Sequence, residues 1–400
     1  MSFGDLDGRR VLVTGGSGFI GGRLVERLVR DEGARVRVLV RNPASAVRLA
    51  RFPLEFVHGD VTDPRAAAAA VDGCEVVFHC AYGTSGSQRH RAFVNRGGTE
   101  GLLEAAAGAR LRRFVHLSTL MVYGQTGDGD LTEEAPRRRF GNAYSDSKLA
   151  AERLALGAAR SGRVPVTVLQ PTAVYGPYGG VWTEQVLAGL KAGRAILVNG
   201  GEGLANHVYV DDLVTAMLLA GRRDEAVGEA FLISAAEPTS WKGLYGCFER
   251  MLGSERTASL TEAEALALWR ETRRARPFFL GELLRLIKTD RGLRDRLFET
   301  RELRFLRERA SDLLPERLQQ RIKAGLGGGH GVAAAEPELP IHPLSPSMIG
   351  FFRPKTYVRI DKARRLLGYR PAFTLEQGMA LTEAWARWAG LLGEAQDSPI

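Results

Sequence analysis

The sequence predicts an α/β protein built on a doubly wound parallel sheet, with a smaller C-terminal lobe that carries a helical insertion. Short apolar runs alternate with helical stretches as far as Leu169, the pattern of repeated βαβ units. These runs are Val-, Leu- and Phe-rich on both faces, as strands covered by helices on each side must be. At 400 residues the chain is also longer than one minimal core requires.

The strands are expected at Arg10 to Thr14, Arg35 to Val40, Leu54 to His58, Glu75 to Cys80, Arg113 to Leu117 and Val164 to Leu169. Helices are expected between them at Gly22 to Asp31, Arg65 to Val71, Gly97 to Gly108 and Ala143 to Arg160. A further strand, Ala230 to Ser234, follows a gap, so the second lobe interrupts the sheet domain. The expected division is 1–172 with 207–235 for the sheet domain, and 173–206 with 236–400 for the lobe. Beyond Ser254 the texture becomes one of long Arg/Glu/Leu helices, such as Gly281 to Thr289 and Arg301 to Leu314, so 254–352 reads as a helical insertion. These helices read as core-facing, with a membrane-surface role as the alternative. Gly325 to Gly331 and Glu336 to Pro346 read as a mobile loop or hinge.

Composition narrows the function classes. No run of eighteen apolar residues is present and the first residues do not resemble a secretory signal, so a cytoplasmic protein without a membrane span is expected. The three cysteines, Cys74, Cys80 and Cys247, are too scattered for a disulfide framework or a metal site. The formal charge is +9, and Ser254 to Gly325 alone holds 17 Lys+Arg against 12 Asp+Glu. That region is mixed in sign and reads as a solvated helical face rather than a nucleic-acid site. A small-molecule substrate is the expected partner, with a homodimer left open.

The segment after the first strand, Gly15-Gly16-Ser17-Gly18-Phe19-Ile20-Gly21, carries the first functional signal. A strand, then glycines, then a helix presents backbone N–H groups and a positive helix end to a pyrophosphate, so a Rossmann-type NAD(P)-binding domain is expected. An NAD site places an acid at the end of the second strand, but here the strand ends Val40-Arg41-Asn42. Arg41 can meet a 2′-phosphate, which favours NADP over NAD. Asp60 and Val61 stand where adenine would lie, with helix capping before Pro64 as the other reading of Asp60.

Tyr144 and Lys148 are spaced i, i+4, which puts a phenol and an ammonium on one helix face. The positive charge is expected to lower the phenol's pKa and fit Tyr144 for acid/base work. Thr119 stands at the end of the preceding strand in Leu117-Ser118-Thr119-Leu120-Met121-Val122-Tyr123-Gly124. With the glycine loop, Asp60, His79-Cys80-Ala81 and Asn95-Arg96-Gly97-Gly98-Thr99, the chain resembles the extended short-chain dehydrogenases/reductases of the NAD-dependent epimerase/dehydratase family. Pro171 to Pro177, His207 to Asp212 and Leu366 to Pro371 extend the resemblance over most of the chain outside roughly Ser254 to Phe352.

The resemblance implies Thr119, Tyr144 and Lys148 as the catalytic residues. It implies cofactor contacts from Gly15, Gly18, Phe19, Ile20, Gly21, Arg41, Asp60, Val61, Ala81, Asn95, Tyr144, Lys148 and Pro171, with Asn95 ordering the active-site helix. The hydroxyl of Thr119 would bond the reacting oxygen, and the other reading is a strand-end hydroxyl satisfying backbone. His79, His116 and His207 read as satisfied core histidines, and Asp211-Asp212 as a helix cap rather than a metal site.

Nucleotide-sugar members of the family carry Asn where this chain has Ala173, and an Arg near Ala205-Asn206-His207. Arg137-Arg138-Arg139 could supply anionic contacts in their place. Three readings follow. The first is an oxidoreductase or epimerase acting on a sugar or sugar-like secondary alcohol. The second is an NADPH-dependent reductase of an apolar ketone, and the third is a non-catalytic NADP-binding regulator.

Overall fold

The computed structural model describes residues 6–83, 87–275 and 343–392. The chain divides into two units, Met1–Leu266 with Leu344–Ile400, and Ala267–Pro343. The helices expected at Gly281 to Thr289 and Arg301 to Leu314, and the glycine run from Gly325, lie outside the described residues.

The first unit is organised by a seven-stranded sheet. Five strands come early: β1 (Arg10–Thr14), β2 (Arg35–Val40), β3 (Glu55–His58), β4 (Val76–His79) and β5 (Arg113–Leu117). The sheet runs Ala230–Ile233, Val166–Pro171, β5, β4, β1, β2, β3, and every pairing is parallel. The order reverses on the two sides of β1, so a crevice opens at the carboxyl ends of β1 and β4, where a doubly wound sheet holds its ligand. The strand Ala230–Ile233 joins the sheet after an excursion, as the sequence suggested. The sheet is buried on both faces; Val11, Leu12, Val13, Val76, Val77 and Phe78 have no exposed area.

Helices α1 (Phe19–Arg30), α2 (Pro64–Val71), α3 (Gln88–Ala107) and α4 (Ala143–Arg160) cover it. α3 begins well before the expected Gly97, at a Ser87 cap that accepts from His90 N. The glycines inside α3 are packing positions. A Cβ on Gly98 would come 2.7 Å from Val61, so the helix passes this side chain only because the position is glycine. Asp63, rather than Asp60, caps α2, accepting from Arg65 N ahead of Pro64.

The region after Ser254 is not wholly helical. Thr257–Leu260 is a strand that pairs in parallel with Ala195–Val198, a four-residue Thr-Ala-Ser-Leu alternation too short to stand out against its helical surroundings. Glu262–Ala275 and Pro346–Phe352 are helices, the second capped by Ser345 inside the stretch expected to be a hinge.

Candidate active site

The glycine loop closes the β1–α1 turn tightly. Gly15 has φ +71°, and a Cβ there would stand 2.7 Å from the Ala81 amide at the end of β4. A Cβ on Gly21 would stand 2.3 Å from the Gly15 carbonyl. Gly18 is the N-cap of α1 and donates its N–H to the Gly15 carbonyl at 3.0 Å. Phe19 and Ile20 form the first turn of α1, so a short backbone concavity lies against a helix N-terminus, a cradle that fits a pyrophosphate.

The other expected cofactor residues lie at or just beyond the carboxyl ends of the sheet strands, apart from Asn95 in α3. Ala81 donates its N–H to Thr14 Oγ1 at 3.3 Å. Arg41, at the end of β2, is half exposed and lies 3.7 Å from Asp60. Asp60 accepts from the backbone and hydroxyl of Thr62 at 2.9 and 2.7 Å. Val61 is buried against α3, and Pro171 is buried at the end of its strand. Asn95 links both sides of the crevice, accepting from Gly83 N at 2.8 Å and donating to Ser147 Oγ at 2.8 Å.

α4 begins at Asn142, whose side chain accepts from Ser145 N, so Tyr144 and Lys148 lie in its first turns. The Thr119 hydroxyl accepts from Met121 N at 3.3 Å and lies near enough to the Tyr144 phenol to lower its pKa. The backbone-satisfying reading of Thr119 thus has its hydrogen bond. Lys148 is buried and donates to the Leu117 carbonyl at 2.5 Å. Burial lowers it to about 8, against the raising effects of Cys80 and Glu152.

The expected depression of the Tyr144 phenol is absent in the protein alone. Desolvation raises it to about 12 and Tyr82 adds to the rise, while Thr119 acts in the opposite sense. The Lys148 ammonium is committed to a carbonyl, so its charge does not govern the phenol.

The histidines divide. His79 is satisfied, bonded to Thr14 Oγ1 at 2.8 Å and Thr99 Oγ1 at 2.9 Å, and burial lowers it to about 3. His116 has no hydrogen-bond partner at either ring nitrogen, and His207 has none at Nδ1, so these two are not the satisfied core residues expected. Asp211 and Asp212 do not cap their own helix. Asp211 pairs with Arg23 at 2.6 Å, and Asp212 accepts from Ala372 N at 2.7 Å. Among the described residues no group of three side chains could hold a metal ion.

On the substrate side, two of the three arginines are engaged. Arg137 pairs with the fully buried Glu152 at 2.5 Å, and Arg139 with Asp146 at 3.0 Å. Asn206 holds the strand Thr356–Val358 by donating to Thr356 O and accepting from Val358 N, at 2.8 and 3.0 Å. What the sequence did not disclose is an aromatic cluster. Trp182 stacks on Trp241 with ring centroids 5.3 Å apart, and Trp241 meets Phe351 at 5.5 Å and Phe352 at 4.5 Å. Phe140, just before α4, meets Phe351 at 6.5 Å. Leu120, the neighbour of Thr119, lines one small cavity with Trp241, Phe351 and Leu204.

The fold is a doubly wound parallel sheet of the Rossmann type. Residues 11–234 match the family model described as the NAD dependent epimerase/dehydratase family, and the chain belongs to that family. It is similar to a 3 beta-hydroxysteroid dehydrogenase/Delta 5-->4-isomerase of Mycobacterium tuberculosis, 33% identical over 245 residues, covering 57% of this chain and 65% of that protein. It is also similar to a dTDP-glucose 4,6-dehydratase of Streptomyces niveus, 34% identical over 241 residues, covering 54% of this chain and 70% of the relative. In fold it resembles UDP-glucose 4-epimerase from Thermotoga maritima, with a TM-score of 0.65 and 22% identity over 95% of this chain and 99% of that one. Among the described residues no helix is long and apolar enough to cross a membrane.

Proposed function

We propose that this chain is an NADPH-dependent reductase of an apolar ring ketone. The observation that carries the reading is the placement of Thr119 just beyond the end of β5 and of Tyr144 and Lys148 in the first turns of α4, at the sheet edge that also holds the glycine turn. A phenol held protonated at neutral pH is suited to donate its proton to the alkoxide that forms when a ketone is reduced. Thr119, near that phenol, would share the developing charge. Lys148, lowered to about 8, keeps mostly its positive charge at neutral pH and favours a nearby electron-rich oxygen. When bound, the nicotinamide supplies the hydride. Gly15, Gly18 and Gly21 would hold its pyrophosphate, with Phe19, Ile20, Ala81, Asn95 and Pro171 bordering the dinucleotide.

The substrate half of the proposal rests on the aromatic cluster of Trp182, Trp241, Phe351 and Phe140, which packs apolar rings near Leu120, the neighbour of Thr119. The engagement of Arg137 and Arg139 leaves fewer cations for a diphosphate. The hydroxysteroid relative acts on such a ring system by its name. A sugar nucleotide is the competing substrate, carried by the dehydratase relative. For the cofactor, Arg41 without a β2-end acid supports NADP, and its proximity to Asp60 makes the preference modest.

The test is a direct competition of ligand classes. With NADPH present, a 3-ketosteroid should be reduced, with loss of nicotinamide absorbance, and UDP, dTDP and GDP should bind weakly. Tight binding of any of these diphosphates with no ketone reduction would overturn the reading in favour of a sugar substrate.

A further inference from the structure

The crevice contains a second phenol that the catalytic set does not use. Tyr82 follows Ala81 at the mouth of the cofactor crevice, and its ring meets that of Tyr144 edge-on, with centroids 6.1 Å apart and an interplanar angle of 73°. Both rings are open to the crevice, 45% exposed for Tyr82 and 43% for Tyr144. A half-exposed tyrosine at the first turn of a helix has little packing to fix its ring, and Thr119 lies near only the hydroxyl end.

The backbone around Tyr82 is pinned on both sides. The Ala81 N–H is held by Thr14 Oγ1 at 3.3 Å and the Gly83 N–H by Asn95 Oδ1 at 2.8 Å. Gly83 lies so close to α3 that a Cβ there would stand 2.7 Å from the Arg91 Cα. From Asn95 the connection continues through Ser147 Oγ, at 2.8 Å, which donates in turn to the Tyr144 carbonyl at 2.8 Å. One hydrogen-bonded circuit thus fixes the backbone under both rings, and the edge-to-face contact closes it on the crevice side.

We infer that Tyr82 is a positioning residue, whose ring edge holds the Tyr144 ring in one orientation between Thr119 and the nicotinamide site. Aromatic pairs prefer this tilted geometry because the positive ring edge of one meets the negative face of the other. A phenol held in one orientation has less ordering to lose when the reacting oxygen arrives. The catalytic meaning of this inference rests on the role proposed above for Tyr144, but the ring order itself does not.

The experiment reads ring order without turnover. In a full chain whose nine tyrosines are replaced by 3-fluorotyrosine, the 19F signal of Tyr144 is the one lost in Tyr144→Phe. With NADPH bound, the parent chain and Tyr82→Phe should give one narrow Tyr144 signal. Tyr82→Leu, and Tyr82→Thr as a second variant should the first fail to fold, should raise the population of a second orientation by about 2- to 10-fold, the Boltzmann factor for losing an aromatic pair. Rescue by Phe separates a ring contact from any role of the hydroxyl. A Tyr144 signal as single and narrow in both non-aromatic variants as in the parent would overturn the inference, as would equal disorder in Tyr82→Phe. A chain that reduces no ketone yet shows the expected spectra would refute the proposed function alone.

Discussion

The cofactor cradle and the aromatic cluster are made differently. The cradle comes from one unbroken segment, Gly15 to Gly21, and works through backbone: the absence of side chains lets β1, α1 and the end of β4 approach. The cluster is assembled from Phe140, Trp182, Trp241 and Phe351, side chains drawn from four separate stretches of chain. Backbone geometry of the first kind tolerates almost no added atoms. Ring packing of the second kind can be exchanged one ring for another, so it is the half in which substrate choice can diverge while the hydride chemistry stays in place.

That contrast can be broken most forcefully at Trp241, which is buried with three aromatic neighbours. Trp241→Ala should lower unfolding stability by about 3–5 kcal/mol, the range for emptying a large aromatic site. Denaturant titration would read this loss, and the affinity for NADPH in the folded fraction should stay within a few-fold. An equal collapse of cofactor affinity would mean that the two halves are not separable. The reverse substitution is Gly21→Ala, whose Cβ would stand 2.3 Å from the Gly15 carbonyl. It should cost about 1–3 kcal/mol in cofactor binding, about 5- to 150-fold in affinity, by fluorescence titration of NADPH. Unchanged affinity would show that the loop can relax without loss of the cradle. The smallest effect is expected at the rim of the cradle, where Arg41 is half exposed. Arg41→Ala should weaken NADPH binding by about 1 kcal/mol and leave NADH nearly unaffected, since an exposed charge is screened by water and salt. Parallel loss for both nucleotides would remove Arg41 from cofactor choice.

The same contrast explains how much could be read in advance. The glycine loop, the Tyr144/Lys148 spacing and Thr119 are local patterns whose physics is contained in a few consecutive residues, and the fold brings them to one edge of the sheet. β1, β2, β5 and α4 coincide with the ranges expected from apolar periodicity. α3 starts nine residues before the expected Gly97, at the Ser87 cap, and the polar run Gln88 to Arg91 concealed that start because it carries no apolar period. Tyr82 gave no signal, since a lone tyrosine after a strand acquires meaning only when Tyr144 arrives beside it. Nor did Trp182, Trp241 and Phe351, whose contact depends on the fold rather than on spacing. Asn142 could have been found: an Asn three residues before Ser145 at the head of a long helix is a cap pattern. His116 was misread for a different reason, because burial on a central strand can be recognised from sequence but the lack of a partner cannot.

The central claim is that the Tyr144 phenol delivers the proton as hydride passes from a nicotinamide to a ring ketone. Its most direct test uses NADPH deuterated at the transferring position, with a 3-ketosteroid, in the parent chain and in Tyr144→Phe. The account predicts deuterium on the carbinol carbon of the product and a fall in kcat of about 10²- to 10⁴-fold in the variant, the usual share of general acid catalysis, with NADPH affinity little changed. Turnover by Tyr144→Phe at close to the parent rate, with deuterium still transferred, would contradict it.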